Sequence, residues 1–275
     1  MREFLGIRRE TVFSPGKVEA DRAILEGVAT ILRGRGHVAR VASAEAALPR
    51  PTRRTLVFTM SQGEPALATL RDWEADGINV VNSVDAILGC QRHRLLDHLE
   101  RADVRVPDTV RLSLGNTESP ATWPAWLDSD GAWIKRGDVH ATHPDDVAFV
   151  RGVHAAADAA TRLRARGIAS AVLQRHVEGP VVKFYGVRDR FFSCFSASGV
   201  PYHVAAEITA ELRVTAERAS QAIGLEIYGG DFVVTMTGGV QVIDVNDWPS
   251  FGPCRVDGAE AIAARLEALS LRNDP

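Results

Sequence analysis

The sequence predicts an α/β protein. Its first third reads as a parallel sheet layered with helices, and the remainder mixes helices with antiparallel hairpins. Three observations predict this. Strand-like and helix-like segments alternate over residues 1 to 88, the pattern of parallel strands joined by crossovers. Two hairpin patterns follow: "VVKFYGV" with "RFFSCFSA" around Arg188–Arg190, and "YGGDFVVTM" with "VQVIDVND" around "TGG". The chain has 275 residues, 45% of them hydrophobic, which is enough for a sizeable core and two or three subdomains.

"FLGIRR" reads as the first strand, followed by the turn "SPGK". Val18, Ile24, Leu25, Val28, Ile31 and Leu32 then recur at helical spacing, predicting a helix over about 18–33. The "GRG" at Gly34–Gly36 closes that helix as a C-cap and lacks the rest of a dinucleotide fingerprint. "HVARVA" and "TLVFTM" are strands, 64–75 is a helix, and "INVVN" is a strand again. A single helix is predicted from Asp85 to Arg101, ending before "VRVPDTV". "LGNTESPATWPAWLDSDG" is rich in turn formers and reads as surface loop. "AWIKRGD" is a strand entering a polar loop, and the Ala-rich segment Asp145–Arg166 is a helix. "ASAVLQRHV" is a strand, residues 205–223 are helical, and a helix after Asp257 closes the chain.

Charged residues make up 24% of the chain and the net charge is −3, so neither a nucleic acid nor an anionic membrane is an expected partner. No apolar run approaches a membrane span. "MREFLGIRRE" lacks a signal-peptide core, so the cytoplasm is the expected compartment. Cys90, Cys194 and Cys254 are odd in number and far apart, which indicates neither a disulfide framework nor a zinc motif. "HATH", His140–His143, has no carboxylate or Cys company and reads as loop rather than as a metal site.

The acidic hairpin carries the chemistry. Side chains alternate along a strand, so Asp244 and Asn246 share one face, with Ile243, Val245 and Asp247 on the other. A tight two-residue turn at Gly238-Gly239 would pair Thr237 with Val240 and set Asp231 opposite Asn246. Three oxygen donors would then cluster on one surface, provided the register does not slip by one. Hard oxygen donors without His or Cys suit magnesium, and an ordinary acidic sheet face fits the same residues. Lys135 and Lys183 lie inside apolar strands, where a lysine needs an anion or a route to solvent.

In this order, the motifs resemble those of ATP-grasp enzymes, the group that includes D-alanine–D-alanine ligase, glutathione synthetase and the inositol polyphosphate kinases. "VVNSVDAILGCQRHRLLDHLERADVRVPDT" is similar to the segment that opens the ATP-grasp region. "AWIKRGD" resembles the lysine strand and phosphate loop, and "AVLQRHVEG" the adenine-clamping linker between the lobes. "VVKFYGV" resembles the basic strand of the second lobe, and "GGDFVV" with "IDVNDWPSFGPCR" the metal-binding strands. "GIRRE" and "FSPGKVEAD" most resemble a group of bacterial ATP-grasp proteins.

The resemblance implies a pre-ATP-grasp α/β domain over 1–88, a small lobe and linker over 89–177, and a C-terminal lobe over 178–275. It implies ATP with magnesium or manganese as cofactors, with Asp231, Asp244 and Asn246 as metal ligands. Lys135 would bind the α- and β-phosphates, and Arg92 stands where the family commonly has lysine. Gln174, Val177 and Glu178 would bind the adenine and ribose, and Lys183 would lie near the transferred phosphate. Arg255 would hold an acceptor carboxylate bidentately. Arg8 and Arg9 end the first strand, where open α/β sheets bind ligands; for these three arginines a structural salt bridge fits as well. Trp248 and Phe251 replace small residues of the family, where they either narrow the acceptor site or pack the loop.

The implied reaction joins a carboxylate to an amine through an acyl phosphate, releasing ADP and phosphate. The alternative is a small-molecule kinase, because "VVKFYGV" also looks like the basic strand of inositol phosphate kinases; a catalytically dead nucleotide-binding module is the third reading. The expected partner is a small carboxylate or an amino acid, with a homodimer as the oligomeric option.

Overall fold

A computed structural model describes residues 1–115 and 123–271. Residues 116–122, the centre of the segment read as surface loop, lie outside the described residues.

The first layer follows the predicted alternation. Strands β1 (Glu3–Arg8), β2 (Val38–Ser43), β3 (Thr55–Thr59) and β4 (Val80–Val81) form a parallel sheet in the order β2-β1-β3-β4. Helix α1 (Val18–Gly34) covers one face and α2 (Glu64–Ala75) contributes to the other. Gly36 ends α1 in the left-handed region at φ +83°, the cap expected of it.

The helix expected over Asp85–Arg101 is two helices, α3 (Val84–Gly89) and α4 (Arg92–Arg101). They part at Cys90-Gln91, where Gln91 turns extended at ψ 127° as the N-cap of α4. The break lets Gly89 sit against Ile223, where an added Cβ would approach to 2.8 Å. The segment expected to be one helix over Asp145–Arg166 also divides. A single 3-10 turn, Pro144–Asp146, precedes β7 (Val147–Val150), and only then α6 (Val153–Ala165) begins. Fully buried Asp146 explains this, because its carboxylate accepts from the amides of Thr142 and His143 and from Arg166. β-Branched Val147 and Val150 then pair with the edge of a sheet.

That sheet contains β5 (Thr109–Ser113), a strand not anticipated, with β6 (Ala132–Arg136) and β8 (Ser170–Arg175). Its antiparallel order is β5-β8-β6-β7. Leu127, from the short helix α5 (Trp126–Ser129), and Leu163 of α6 pack against it.

The third sheet is antiparallel in the order β10-β9-β11-β12. Its strands are β9 (Val181–Val187), β10 (Phe191–Ser196), β11 (Ile227–Val234) and β12 (Val240–Asp247). Helix α7 (Ala206–Ile223) backs one face together with Leu95 and Leu99 of α4. Helix α8 (Arg255–Leu271) crosses to pack on α1, so one core joins the first layer to the third through Ile24, Leu25, Ile262, Leu266, Ile227 and Trp248. Trp248 stacks on Phe58 with centroids 5.9 Å apart, and both Trp248 and Phe251 are fully buried. The two bulky residues therefore pack the loop; Pro249 and Ser250 face the neighbouring cavity instead.

Candidate active site

The acidic hairpin closes through a longer turn than two residues. Thr235 N donates to Gly239 O at 2.8 Å and Gly238 N to Thr235 O at 2.9 Å. Val234 pairs with Val240, which would run Asp231 opposite Ile243 if the strands stayed regular. A bulge between Asp231 and Phe232 absorbs one residue of β12, so Asp231 pairs with Asp244 and Gly229 with Asn246. The expected pairing of Asp231 with Asn246 is thus corrected. The expected shared face survives, because directly opposite residues point the same way and Asn246 lies two residues from Asp244. Gly230 permits the close approach: a Cβ there would lie 2.2 Å from Asp244 O.

Asp231 is also paired with Lys183 on β9. A row therefore crosses three strands, Lys183–Asp231–Asp244, and Arg92 from α4 completes it. Lys183 Nζ is 3.0 Å from Asp231 Oδ1, and Arg92 Nη2 is 2.5 Å from Asp244 Oδ2. Two like charges side by side are thereby flanked by two cations. Among the described residues no three His, Cys, Asp or Glu side chains gather as a metal site. The third donor of this centre is the amide of Asn246. Two opposed carboxylates and an amide are hard oxygen donors of the kind magnesium takes, and the donor set fits that ion.

The row runs between two cavities. One, of about 200 Å³, opens where the three sheets converge. Asp231, Asn246 and Lys183 line it, together with Arg9, Gln62 and His140. The other is a slot of about 10 Å³ between α4, β6, β8 and β12, lined by Arg92, Lys135, Gln174 and apolar Leu95, Leu96 and Val242. There Lys135 Nζ donates to Gln174 Oε1 at 2.7 Å and to Ile243 O at 3.5 Å. Burial pulls the Lys135 ammonium down to about 8, while Asp244 acts in the opposite direction.

The structure thus brings Arg92, Lys135, Gln174, Lys183, Asp231, Asp244 and Asn246 together. It leaves Val177 in a separate shallow pocket with Asp108 and Gln241, and Glu178 exposed between β8 and β9. Arg255 opens α8 and does not line either cavity. Arg8 pairs with Glu26 of α1. Arg9 donates to Asp21, Met60 O and Trp248 O, tying the ends of β1 and β3 to α1 and to the turn after β12.

Three residues that sequence reasoning did not assign to the site also meet there. Glu10 accepts from the amides of Gln62 and Gly63, which places Gln62 at the C-terminal end of β3. Gln62 Nε2 donates to Asp247 Oδ1 at 2.5 Å. Asp247 faces away from Asn246, is 4% exposed, and is raised to about 6 by burial. His140 reaches the same junction from the loop after β6, with Nε2 2.6 Å from Phe13 O. Burial and then the charge of Arg9 push it down to about 4. The position of Gln62, just past a parallel strand, was the one available signal.

No protein-family model matches the chain, and no curated protein sequence matches it. Solved structures do. The D-alanine–D-alanine ligase from Bacillus anthracis superposes with a TM-score of 0.74 at 11% identity, over 99% of this chain and 98% of that one. The same enzyme complexed with ATP gives 0.72 at 12% identity, over 99% and 98%. The D-alanine–D-alanine ligase from Coxiella burnetii gives 0.72 at 12% identity, over 98% of both chains. No helix of the described residues is long and apolar enough to cross a membrane. Three sheets in this order, superposed over nearly the whole length of both chains, give this chain the ATP-grasp fold of the D-alanine–D-alanine ligases.

Proposed function

We propose that the chain is an ATP-dependent ligase that joins a small carboxylate, an amino acid among them, to an amine through an acyl phosphate, releasing ADP and phosphate. The observation that carries this reading is the row Lys183–Asp231–Asp244–Arg92 lying between a closed slot lined by Lys135 and Gln174 and a polar cavity. The fold supports the same reading, because its solved neighbours include a ligase complexed with ATP. In this reading 1–88 forms a pre-ATP-grasp domain, 89–177 the small lobe with its linker, and 178–275 the lobe with the metal centre.

Asp231, Asp244 and Asn246 would hold magnesium, or manganese, which supplies charge neutralisation to the β- and γ-phosphates. Lys135 and Arg92 supply positive charge on the slot side, and Gln174 presents a buried amide to the base. Lys183 faces the larger cavity, where an acceptor carboxylate would meet the γ-phosphoryl group. Positioning and charge complementarity supply most of the rate in phosphoryl transfer. Glu178 and Val177 would reach nucleotide only from the linker, and Arg255 an acceptor only from outside the cavity wall.

The test is product analysis with ATP, magnesium and panels of amino acids and carboxylates. ADP, free phosphate and a condensed product by mass are expected. AMP and pyrophosphate would overturn the reading, and a phosphorylated acceptor with no free phosphate would replace it with a kinase.

A further inference from the structure

The loop that follows β6 is held by the first turn of α4. Arg92 Nη1 donates to Arg136 O at 3.0 Å and to Val139 O at 3.4 Å. The next residue adds to the grip: His93 N donates to Gly137 O at 3.3 Å, and its Nδ1 lies 2.9 Å from the same oxygen. The other terminal nitrogen of the same guanidinium, Nη2, holds Asp244 at 2.5 Å. The side chain of Arg92, a residue 8% exposed, therefore spans the acidic strand and two residues of the loop, Arg136 and Val139. Among the described residues Asp244 makes no hydrogen bond to the loop; its charge is felt by His140, and its hydrogen-bonded link to the loop runs through Arg92.

We infer that Arg92 is a latch that couples occupancy of Asp244 to the position of the loop Arg136–His143. The inference rests on the nucleotide-site reading for its purpose, but not for its geometry. A guanidinium is rigid and planar, so its two ends cannot be adjusted independently. Anchored on Asp244, it presents its second amino group to the carbonyls of Arg136 and Val139. Were Asp244 to ligate a divalent cation, as the proposed metal site requires, its carboxylate would be withdrawn from that guanidinium. When Asp244 turns to the cation, the anchor is lost and the loop loses the bonds that depend on it. The loop is then free to rearrange over the bound triphosphate, while Arg92 is left facing the slot as a free cation. An ammonium at this position could not serve both partners through one rigid plane, which gives a physical reason for arginine here where lysine would suffice for charge alone.

The test is hydrogen exchange of a peptide covering residues 136–142 in the nucleotide-free protein, with an α6 peptide as the internal reference. Arg92→Leu should speed exchange of the loop about tenfold, in line with the loss of hydrogen bonds from a charged group. Asp244→Ala should speed it by a similar factor, although Asp244 does not touch the loop. The double variant should be no faster than either single one, because both act through one bridge. If Asp244→Ala leaves the loop as in the wild type, the coupling is refuted, whatever Arg92→Leu does. Should Arg92→Leu fail to fold, Asp244→Ala still decides, and Arg92→Lys serves as its second arm with an intermediate effect expected. ATP binding by wild-type protein, measured separately by equilibrium dialysis, keeps the two claims apart. Absence of binding removes the nucleotide reading, whereas binding with an unmoved loop in Asp244→Ala removes only the latch.

Discussion

At the scale of single residues, the site is a problem in balanced charge. Asp231 and Asp244 stand directly opposite one another, and each is compensated by a different cation. Replacing Asp244 by Asn relieves repulsion in the metal-free protein but, in the proposed reading, would remove a charged ligand from the metal–nucleotide complex. Asp244→Asn and Asn246→Ala should therefore each lower turnover roughly a hundredfold or more, with far-ultraviolet circular dichroism unchanged. Equal loss of activity and of structure would assign these two residues to folding. Asp247 is a less neutral comparison than strand alternation suggests, because it is buried against Gln62 beside Arg9. These residues were legible because alternation and residue type need only local sequence. The slot residues Lys135 and Gln174 were legible for the same reason, as polar side chains on apolar strands. Gln62 and His140 were not, since their role arises from contacts across 78 positions of the chain. Their loops carry no period to read.

At the scale of elements, the bulge in the β11–β12 hairpin shows where local reading ends. Gly238-Gly239 alone predicts a two-residue turn; the real turn is longer, and the bulge restores the parity that the turn alone would have broken. Asp146 likewise converts the start of an apparent Ala-rich helix into a capped turn and an edge strand. Both outcomes depend on a partner element that composition does not reveal. The loop Arg136–His143 has a further consequence. His140 is buried against Phe13 O and held neutral, its folded value near 4 against an ordinary 6.5. A depressed histidine value means the docked loop is favoured above about pH 6.5 and loses that advantage as pH falls toward 4. The lost advantage amounts to about 2 kcal/mol at pH 5 from the linkage relation. Exchange of the 136–142 peptide, corrected for intrinsic rate, should accelerate between pH 7 and 5 in the wild type. It should do so much less in His140→Gln. A loop equally protected at both pH values would show that His140 does not dock it.

At the scale of the whole molecule, the arrangement of the three sheets sets what the protein must do to bind nucleotide. The parallel layer was plain from its alternation, and the third sheet from its hairpins. The second sheet was legible only in part, because β5 and β7 are short edge strands, the first of mixed polarity and the second, VAFV, continuous with Ala-rich helical sequence. Those two edges flank β8 and β6, the strands of the proposed small lobe that line the slot. Lys135 and Gln174 of that lobe both reach Ile243 O on β12, and the space between is about 10 Å³. Small-molecule sites are typically about 300 Å³ or larger. If the slot is the nucleotide site proposed above, a purine enters only after the two sheets part, and the parted state must form before nucleotide can dock. Binding of a fluorescent ATP analogue with magnesium, followed by stopped flow, should show an observed rate that levels off, or falls, as nucleotide concentration rises. The plateau is the rate of lobe opening. The equilibrium affinity is weakened by the small fraction of open molecules. Arg92→Leu, with its slot wall and loop released, should raise that plateau. An observed rate that climbs linearly with nucleotide, without a plateau and at the usual rate for docking on a preformed surface, would mean that the slot is already open in solution. The pressed arrangement of the two lobes would then not be the resting state of the protein.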